Sequence, residues 1–333
     1  MTNPLRDRSW LWPAIGSLVL LVFVFALSEE LKFGIITANL AAASFLALVG
    51  MGQMFPIASG EGGIDLSIPF VMNFCAFLAV KIISFDPISL PLVLLAAIIF
   101  GTIVGVVNGL VVVQFRVPPI IGTLAVGFVV LTLVQIVSLG GSTTIANRAV
   151  TNFVRSSFVG IPMPAYVVLL IGSAMWLLVN RTAYGRELLA LGQNRRAAYL
   201  SGIPVYRTIV LAYVISGMMA SLAGVLLASS VGSADLELGN PFLLTSVGAV
   251  VLGGNWIAGG TASVVGTLLG SVLLTLLVVA VTVAGLPIEA KHIASGLVIT
   301  IVLVAANAPA RTGRRASRLE VVTRYWMGNA KRG

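Results

Sequence analysis

Apolar residues run along this chain in long blocks separated by short polar stretches, and the blocks are too long for strands. Residues 169–179 and 268–281 carry no charge and no two-residue alternation, so a membrane barrel is excluded and each block reads as helix. The pattern predicts an all-α membrane protein of about ten crossings, at 10–27, 35–58, 68–83, 88–113, 119–139, 164–179, 208–230, 241–252, 262–284 and 288–306. The fourth is long enough to tilt or kink; the eighth is short for a straight crossing, which takes about 20 residues. A polar loop is expected at 140–163, and a basic loop at 180–207. Residues 1–306 are expected to form one transmembrane domain, with 307–333 a basic cytoplasmic tail.

Two glycine-rich segments interrupt the pattern. Gly60-Glu61-Gly62-Gly63-Ile64-Asp65 separates the second and third spans, and residues 253–260 follow the short eighth one. Paired interruptions of membrane helices can line a transport path; ordinary tight turns at the membrane surface are the other reading. Asp65 can cap the third helix, where the helix dipole favours a carboxylate, or can gate or touch a substrate.

Composition places the blocks in a bilayer. The chain is 58% hydrophobic and only 9% charged, against roughly 25% charged in soluble domains, and residues 238–288 hold no Asp, Glu, Lys or Arg. The net charge of +9 would fit nucleic acid if it formed a face, but the basic residues sit in short segments between blocks. Alternating sides from a cytoplasmic N-terminus puts fifteen of the 20 Lys and Arg inside, and only Lys32, Lys81, Arg148, Arg155 and Lys291 outside. That asymmetry predicts both termini in the cytoplasm of a bacterial-type cell, with the chain in its inner membrane. The stretch 10–27 is long for a signal-peptide core and is read as a retained span. Cys75, the single cysteine, reads as a small core residue and His292 as a residue at a helix end; one of each makes a metal or haem site improbable.

The basic loop is built to meet something. Asn194 suits an N-cap, Gly202 a left-handed C′ position, and Pro204 blocks continuation, which bounds a short helix at 195–201. A helix of that length is unstable alone in water. Ala197 and Ala198 permit close approach, and Tyr199 and Leu200 offer an apolar face. The helix can rest on lipid headgroups or dock as a coupling helix on a cytoplasmic ATPase.

The motifs taken together resemble one family. Ala197-Ala198, three residues and then Gly202 are similar to the coupling loop of ATP-binding-cassette importers. Gly62-Gly63-Ile64-Asp65-Leu66-Ser67, Asn108-Gly109-Leu110 with Val117-Pro118-Pro119-Ile120-Ile121, the run from Gly192 to Ile203, and Ala249-Val250-Val251-Leu252-Gly253-Gly254 resemble the permeases of the ribose-type, or sugar and autoinducer, branch. The resemblance covers about residues 40–305. It implies a type II-like importer permease, a second permease subunit, ATPase subunits and a periplasmic sugar-binding protein, with a neutral sugar or polyol as cargo. It places ATPase coupling at Gly185, Arg186, Gly192, Asn194, Arg195, Ala197, Ala198, Ser201, Gly202 and Ile203. Three departures stand out: Glu61 before the first motif, Leu243-Leu244-Thr245 where the family commonly has Glu-Leu-Asp, and Asn255-Trp256 where it has Thr-Ser. No lysine follows a glycine, so there is no Walker A loop; the chain is expected to bind no cofactor, ATP and Mg²⁺ belonging to the partner. Substrate-path candidates are Asp65, Asn73, Phe74, Asn108, Gln135, Asn255 and Trp256. An ion-coupled secondary transporter is the alternative, and an intramembrane enzyme finds no paired nucleophile and base.

Overall fold

The computed structural model describes residues 10–27, 33–83, 89–139, 143–145, 147–287 and five helical positions between 293 and 300. The described chain is helical apart from one two-stranded hairpin. The helices are α1 (Leu11–Leu27), α2 (Phe33–Ala58), α3 (Ile68–Ile83), α4 (Ser89–Val113), α5 (Pro119–Ser138), α6 (Arg148–Arg155), α7 (Met163–Arg181), α8 (Ala183–Gln193), α9 (Arg195–Leu200), α10 (Val205–Val231), α11 (Phe242–Leu252) and α12 (Val264–Val283). Between α6 and α7, β1 (Ser157–Phe158) pairs antiparallel with β2 (Ile161–Pro162).

Six helices, α2, α4, α5, α7, α10 and α12, are long and apolar enough to cross a membrane; α1, α3 and α11 are apolar but shorter. The tenth predicted span, apart from those five positions, and the basic tail with His292 lie outside the described residues. Two loops hold more structure than the sequence pattern foresees. The polar loop 140–163 contains α6 and the hairpin, and the basic loop 180–207 contains α8 before the short helix. Both were hidden for the same reason: their helices are too short and too polar to stand out against membrane-length blocks.

The most extensive helix pairing joins α4 to α10. Its basis is a glycine every four residues on α4, at Gly101, Gly105 and Gly109, which puts a bare stripe on one face. A Cβ on Gly105 would lie 2.5 Å from the Tyr213 carbonyl oxygen, and one on Gly109 would lie 2.8 Å from Val210 Cα; Gly101 meets Gly217 in the same way. Small-residue stripes of this kind let membrane helices approach closely where no hydrophobic effect drives association.

The bundle has one end at which the glycine-rich segments gather. The Gly260 amide donates to the Ala58 carbonyl at 2.9 Å, a Cβ on Gly60 would lie 3.1 Å from Gly192 Cα, and Gly259 has no room for a Cβ against the Gly60 backbone. The turns after α2, α8 and α11 therefore meet backbone to backbone. The irregular segment inside the bundle is a different one, 63–67, extended before α3; a second, 232–241 before α11, follows the long α10 and carries exposed Asp235 and Glu237. Asn73, on the second turn of α3, clasps the latter, donating from Nδ2 to the Leu236 carbonyl at 2.6 Å and accepting at Oδ1 from the Gly239 amide at 2.6 Å. The short α11 is thus shortened at its start, while the glycine run 253–260 behind it packs as a turn.

Gly105→Leu should overpack the α4–α10 seam, a class of change that costs about 1–3 kcal/mol. Gly34→Leu, where a Cβ would meet nothing within 4 Å, should be nearly silent. Thermal unfolding of the two purified variants in detergent is the check, with a lowered midpoint expected for the first alone.

Candidate functional site

Residues 63–67 leave α2 and climb to α3 without helical hydrogen bonds. Inside a bilayer an unsatisfied backbone group is expensive, so such a segment needs partners supplied by the protein. Two helices, α2 and α5, supply partners for its backbone, and two more, α4 and α10, bond its side chains. Gln53 of α2, with its amide oriented to satisfy both groups, donates to the Asp65 carbonyl at 3.1 Å and accepts from the Asp65 amide at 3.2 Å. Thr123 of α5 accepts from the Leu66 amide at 2.9 Å. Asn108 of α4 donates to Ser67 Oγ at 2.7 Å and more weakly to Asp65 Oδ1 at 3.3 Å. Ser216 of α10 donates to Asp65 Oδ2 at 2.7 Å.

Asp65 is the centre of this cluster and is buried. Its Oδ1 also accepts from the Ser67 amide at 2.9 Å and Ser67 Oγ at 2.6 Å. Bonding two residues ahead makes an Asx turn that ends at the doorstep of α3, so the carboxylate organises the entry to that helix. Ser216 lies nine residues past Arg207 on α10, which at 1.5 Å per residue sets the carboxylate about 13 Å inward from that arginine. No cation pairs with Asp65 among the described residues; hydrogen-bond donors alone compensate its burial. Two polar atoms on the same helices, Asn108 Oδ1 and the Tyr213 hydroxyl, are buried without a partner.

Below the cluster a cavity of about 510 Å³ is lined by Ser59, Gly60, Glu61, Arg116, Arg195 and Tyr213 among others. Glu61 and Arg195 form an ion pair at its edge, both side chains partly exposed. Three successive residues there are left-handed, Gly60 at φ 86°, Glu61 at 52° and Gly62 at 71°. For a non-glycine residue this conformation costs about 1–2 kcal/mol, whereas an exposed ion pair returns about 0–1 kcal/mol.

The basic loop forms a second polar structure. Thr182 caps α8 by accepting from the Gly185 amide at 3.2 Å, Arg186 is exposed beside it, and α8 ends where Gly192 meets the Ala58 carbonyl and Gly260. Asn194 then caps α9, its side chain accepting from the Ala197 amide at 3.0 Å. At the far end Gly202 is left-handed, φ 81°. The Ile203 amide bonds to the Ala198 carbonyl at 3.1 Å and Gly202 to Tyr199 at 3.0 Å, which with Ser201 at the C-cap makes a Schellman-type stop. The two alanines divide: Ala198 is buried with Leu191, Ile209 and Tyr213, and Ala197 is exposed. Tyr199 and Leu200 are 70% and 74% exposed.

The substrate-path candidates are not gathered in one place. Asp65 and Asn108 share the cluster. Asn73 clasps the 232–241 segment, and Phe74 stacks on Phe100 with ring centroids 3.9 Å apart, joining α3 to α4. Asn255 locks the turn after α11, donating to the Val250 carbonyl and Thr267 Oγ1 and accepting from the Ser263 amide. Gln135 is exposed on α5, and Trp256, half exposed, donates its amide to Thr261. The substrate-path candidates did not include Gln53, Ser67, Thr123 and Ser216. Ser67 and Thr123 stand in or beside the family motifs, while the signal at Gln53 and Ser216 was a polar residue inside an apolar block, which many positions share.

A bundle of apolar helices with an unwound, side-chain-satisfied segment at depth defines a multi-pass membrane transport protein. The chain belongs to the family described as branched-chain amino acid transport system / permease component, which it matches over residues 35–306. It is similar to the autoinducer 2 import system permease protein LsrD of Salmonella typhimurium, with 32% identity covering 91% of this chain and 92% of the relative. The LsrD protein of Yersinia enterocolitica is 31% identical, covering 91% and 93%, and that of Escherichia coli O9:H4 is 31% identical, covering 73% and 76%. No solved structure matches. The resemblance to ribose-type importer permeases therefore extends over nearly the whole chain, and the protein is a permease, a non-catalytic transport component.

Thr123→Val leaves the Leu66 amide unpaired at depth and should cost about 1–3 kcal/mol. Gln53→Leu strips two backbone groups and should cost more, while Gln135→Leu should be neutral. Asp65→Asn keeps an acceptor and should be milder than Asp65→Leu. Unfolding midpoints in detergent, compared across the series, give the order; equal midpoints throughout would remove the role assigned to the cluster.

Proposed function

We propose that this chain is the membrane permease subunit of an ATP-driven importer in a bacterial inner membrane, and that α9 is the element that docks on the ATPase. The observation that carries this reading is α9 itself: capped at both ends, seated on the bundle through Ala198, and presenting Tyr199 and Leu200 outward. Exposed aromatic and aliphatic groups beside Arg195 and Arg196 suit a hydrophobic groove with an acidic rim. The ATPase subunits would use ATP and Mg²⁺, and a periplasmic binding protein and a second permease complete the assembly. The cargo we propose is a small neutral sugar or polyol of the class to which the relatives' autoinducer 2 import points. Neutral cargo suits a bundle whose buried polar groups are nearly all uncharged, since charges at depth are costly.

Ala197→Trp should hold α9 off its partner, because packed interfaces leave little free volume. Gly202→Val puts a β-branched residue into a left-handed position and distorts the helix exit. Both variants should reach the membrane and unfold like the parent, but lose most uptake and retain little ATPase on purification. Normal ATPase retention and uptake in both would leave α9 without a docking role.

The topology follows from the same reading. A cysteine at Val159, in the turn between β1 and β2, should react with an impermeant maleimide in intact cells. One at Phe115, exposed in the turn between α4 and α5, should react only after permeabilisation, the native Cys75 being buried and silent. The reverse pattern would invert the orientation.

A further inference from the structure

We infer that Glu61 is a positioning residue for transport: it ties the first turn of α9 to the glycine turn that leads into the membrane-embedded segment 63–67. The inference rests on the coupling role proposed for α9.

Three observations carry it. The first is how α8 and α9 touch the 58–63 turn. Gly192 abuts the Ala58 carbonyl, and Gly60 abuts Gly192. These are contacts between bare backbones, which resist approach and offer almost nothing against separation, because dispersion attraction between a few atoms is small. At the glycine turn itself the contact transmits a push better than a pull; what holds α8 to α2 lies a turn away, Tyr184 stacked on Phe55 and the buried Leu188. The second is that among the described residues one polar link spans the joint, the pair between Glu61 and Arg195. Arg195 is the first residue of α9, and Glu61 lies four residues before Asp65. A displacement of α9 away from the bundle therefore reaches the turn before the unwound segment directly through this side-chain pair, alongside the route through α10, whose Ser216 bonds Asp65.

The third is that stability does not account for Glu61. It stands in a left-handed conformation between two left-handed glycines, where a third glycine would be free of strain. The Glu61 side chain is itself 60% exposed, so it fills no packing need. Arg195 is its polar partner, and a half-exposed pair returns no more than the backbone conformation costs. A strained side chain whose contacts return no more than its conformation costs is the kind found at functional sites. The pair also sits on the edge of the cavity lined by Ser59, Arg116 and Tyr213, so pulling Glu61 outward would widen that edge from beneath the Asp65 cluster.

The test uses the complete complex with its ATPase in detergent. Ser59 lines the cavity and is buried. With Ser59→Cys as a reporter, the maleimide reaction rate is compared without nucleotide and with ATP plus vanadate. With Glu61 present the rate should change about fivefold or more, as expected when nucleotide shifts a two-state segment. In Glu61→Gly and Glu61→Gln the change should vanish, although the ATPase still co-purifies. The melting midpoint of Glu61→Gly should match or exceed that of the parent, because a strained residue is relieved. The exchanged pair Glu61→Lys with Arg195→Glu should recover most of the nucleotide-dependent change. An undiminished change in Glu61→Gly, or its loss together with a lowered midpoint, or no recovery in the exchanged pair, would overturn the assignment. So would a nucleotide-insensitive Ser59→Cys reporter in a complex that retains its ATPase and keeps Glu61. A parent chain that retains no ATPase at all would instead refute the coupling reading on which the tie rests.

Discussion

Residues 63–67 cross part of a membrane protein as extended backbone, and the arrangement around them follows from the need to satisfy that backbone without water. An extended segment cannot bond to itself as a helix does. Its amides and carbonyls must find side chains, which come from helices far apart in sequence, Gln53 from α2 and Thr123 from α5, while Asn108 from α4 and Ser216 from α10 bond the side chains of Ser67 and Asp65. Each contribution fixes the rotation of its helix about its own axis, because a polar side chain turned toward lipid would leave a buried polar partner of the segment bare. The cluster thus sets the mutual register of four helices. It also explains a buried carboxylate without a counter-cation. Asp65 accepts from two backbone-adjacent donors and two helix donors, and in return holds the chain in the turn that starts α3.

That register depends on close approach, which is where the glycines enter. Asn108 is short, and it reaches Ser67 from α4 while α4 lies tightly on α10 through Gly101, Gly105 and Gly109. The same economy operates at the end of the bundle, where three glycine-rich turns share one spot. Backbones in direct contact leave few ways to rearrange except as a unit. The elements nearest the proposed ATPase, α8 and α9, rest directly on the turn that leads to Asp65, and among the described residues one polar pair, Glu61 with Arg195, joins them to that turn, beside the packing of Tyr184 on Phe55.

Much of this was legible in the sequence. The uncharged blocks, the basic asymmetry and the capped short helix follow from local chemistry, and they point to a polytopic helical membrane protein with a basic loop that carries a bounded short helix. Asn194 and Gly202 take their places because capping depends on the nearest few residues. The family motifs resembled ribose-type importer permeases, and the likeness to the LsrD proteins over 91% of the chain accords with this.

What only the tertiary structure decided concerns facing. Sequence spacing could not separate Gln53, buried against the unwound segment, from Gln135, exposed on α5, since both are single amides in apolar blocks. It could not tell that Ala198 turns inward while Ala197 faces out, nor that the run 253–260 packs as a turn against Gly60 while the buried irregular segment is 63–67. In a soluble helix one polar face marks the outside. In a membrane bundle lipid and core are equally apolar, so hydropathy carries no sense of direction, and the inside is set by which distant groups must meet.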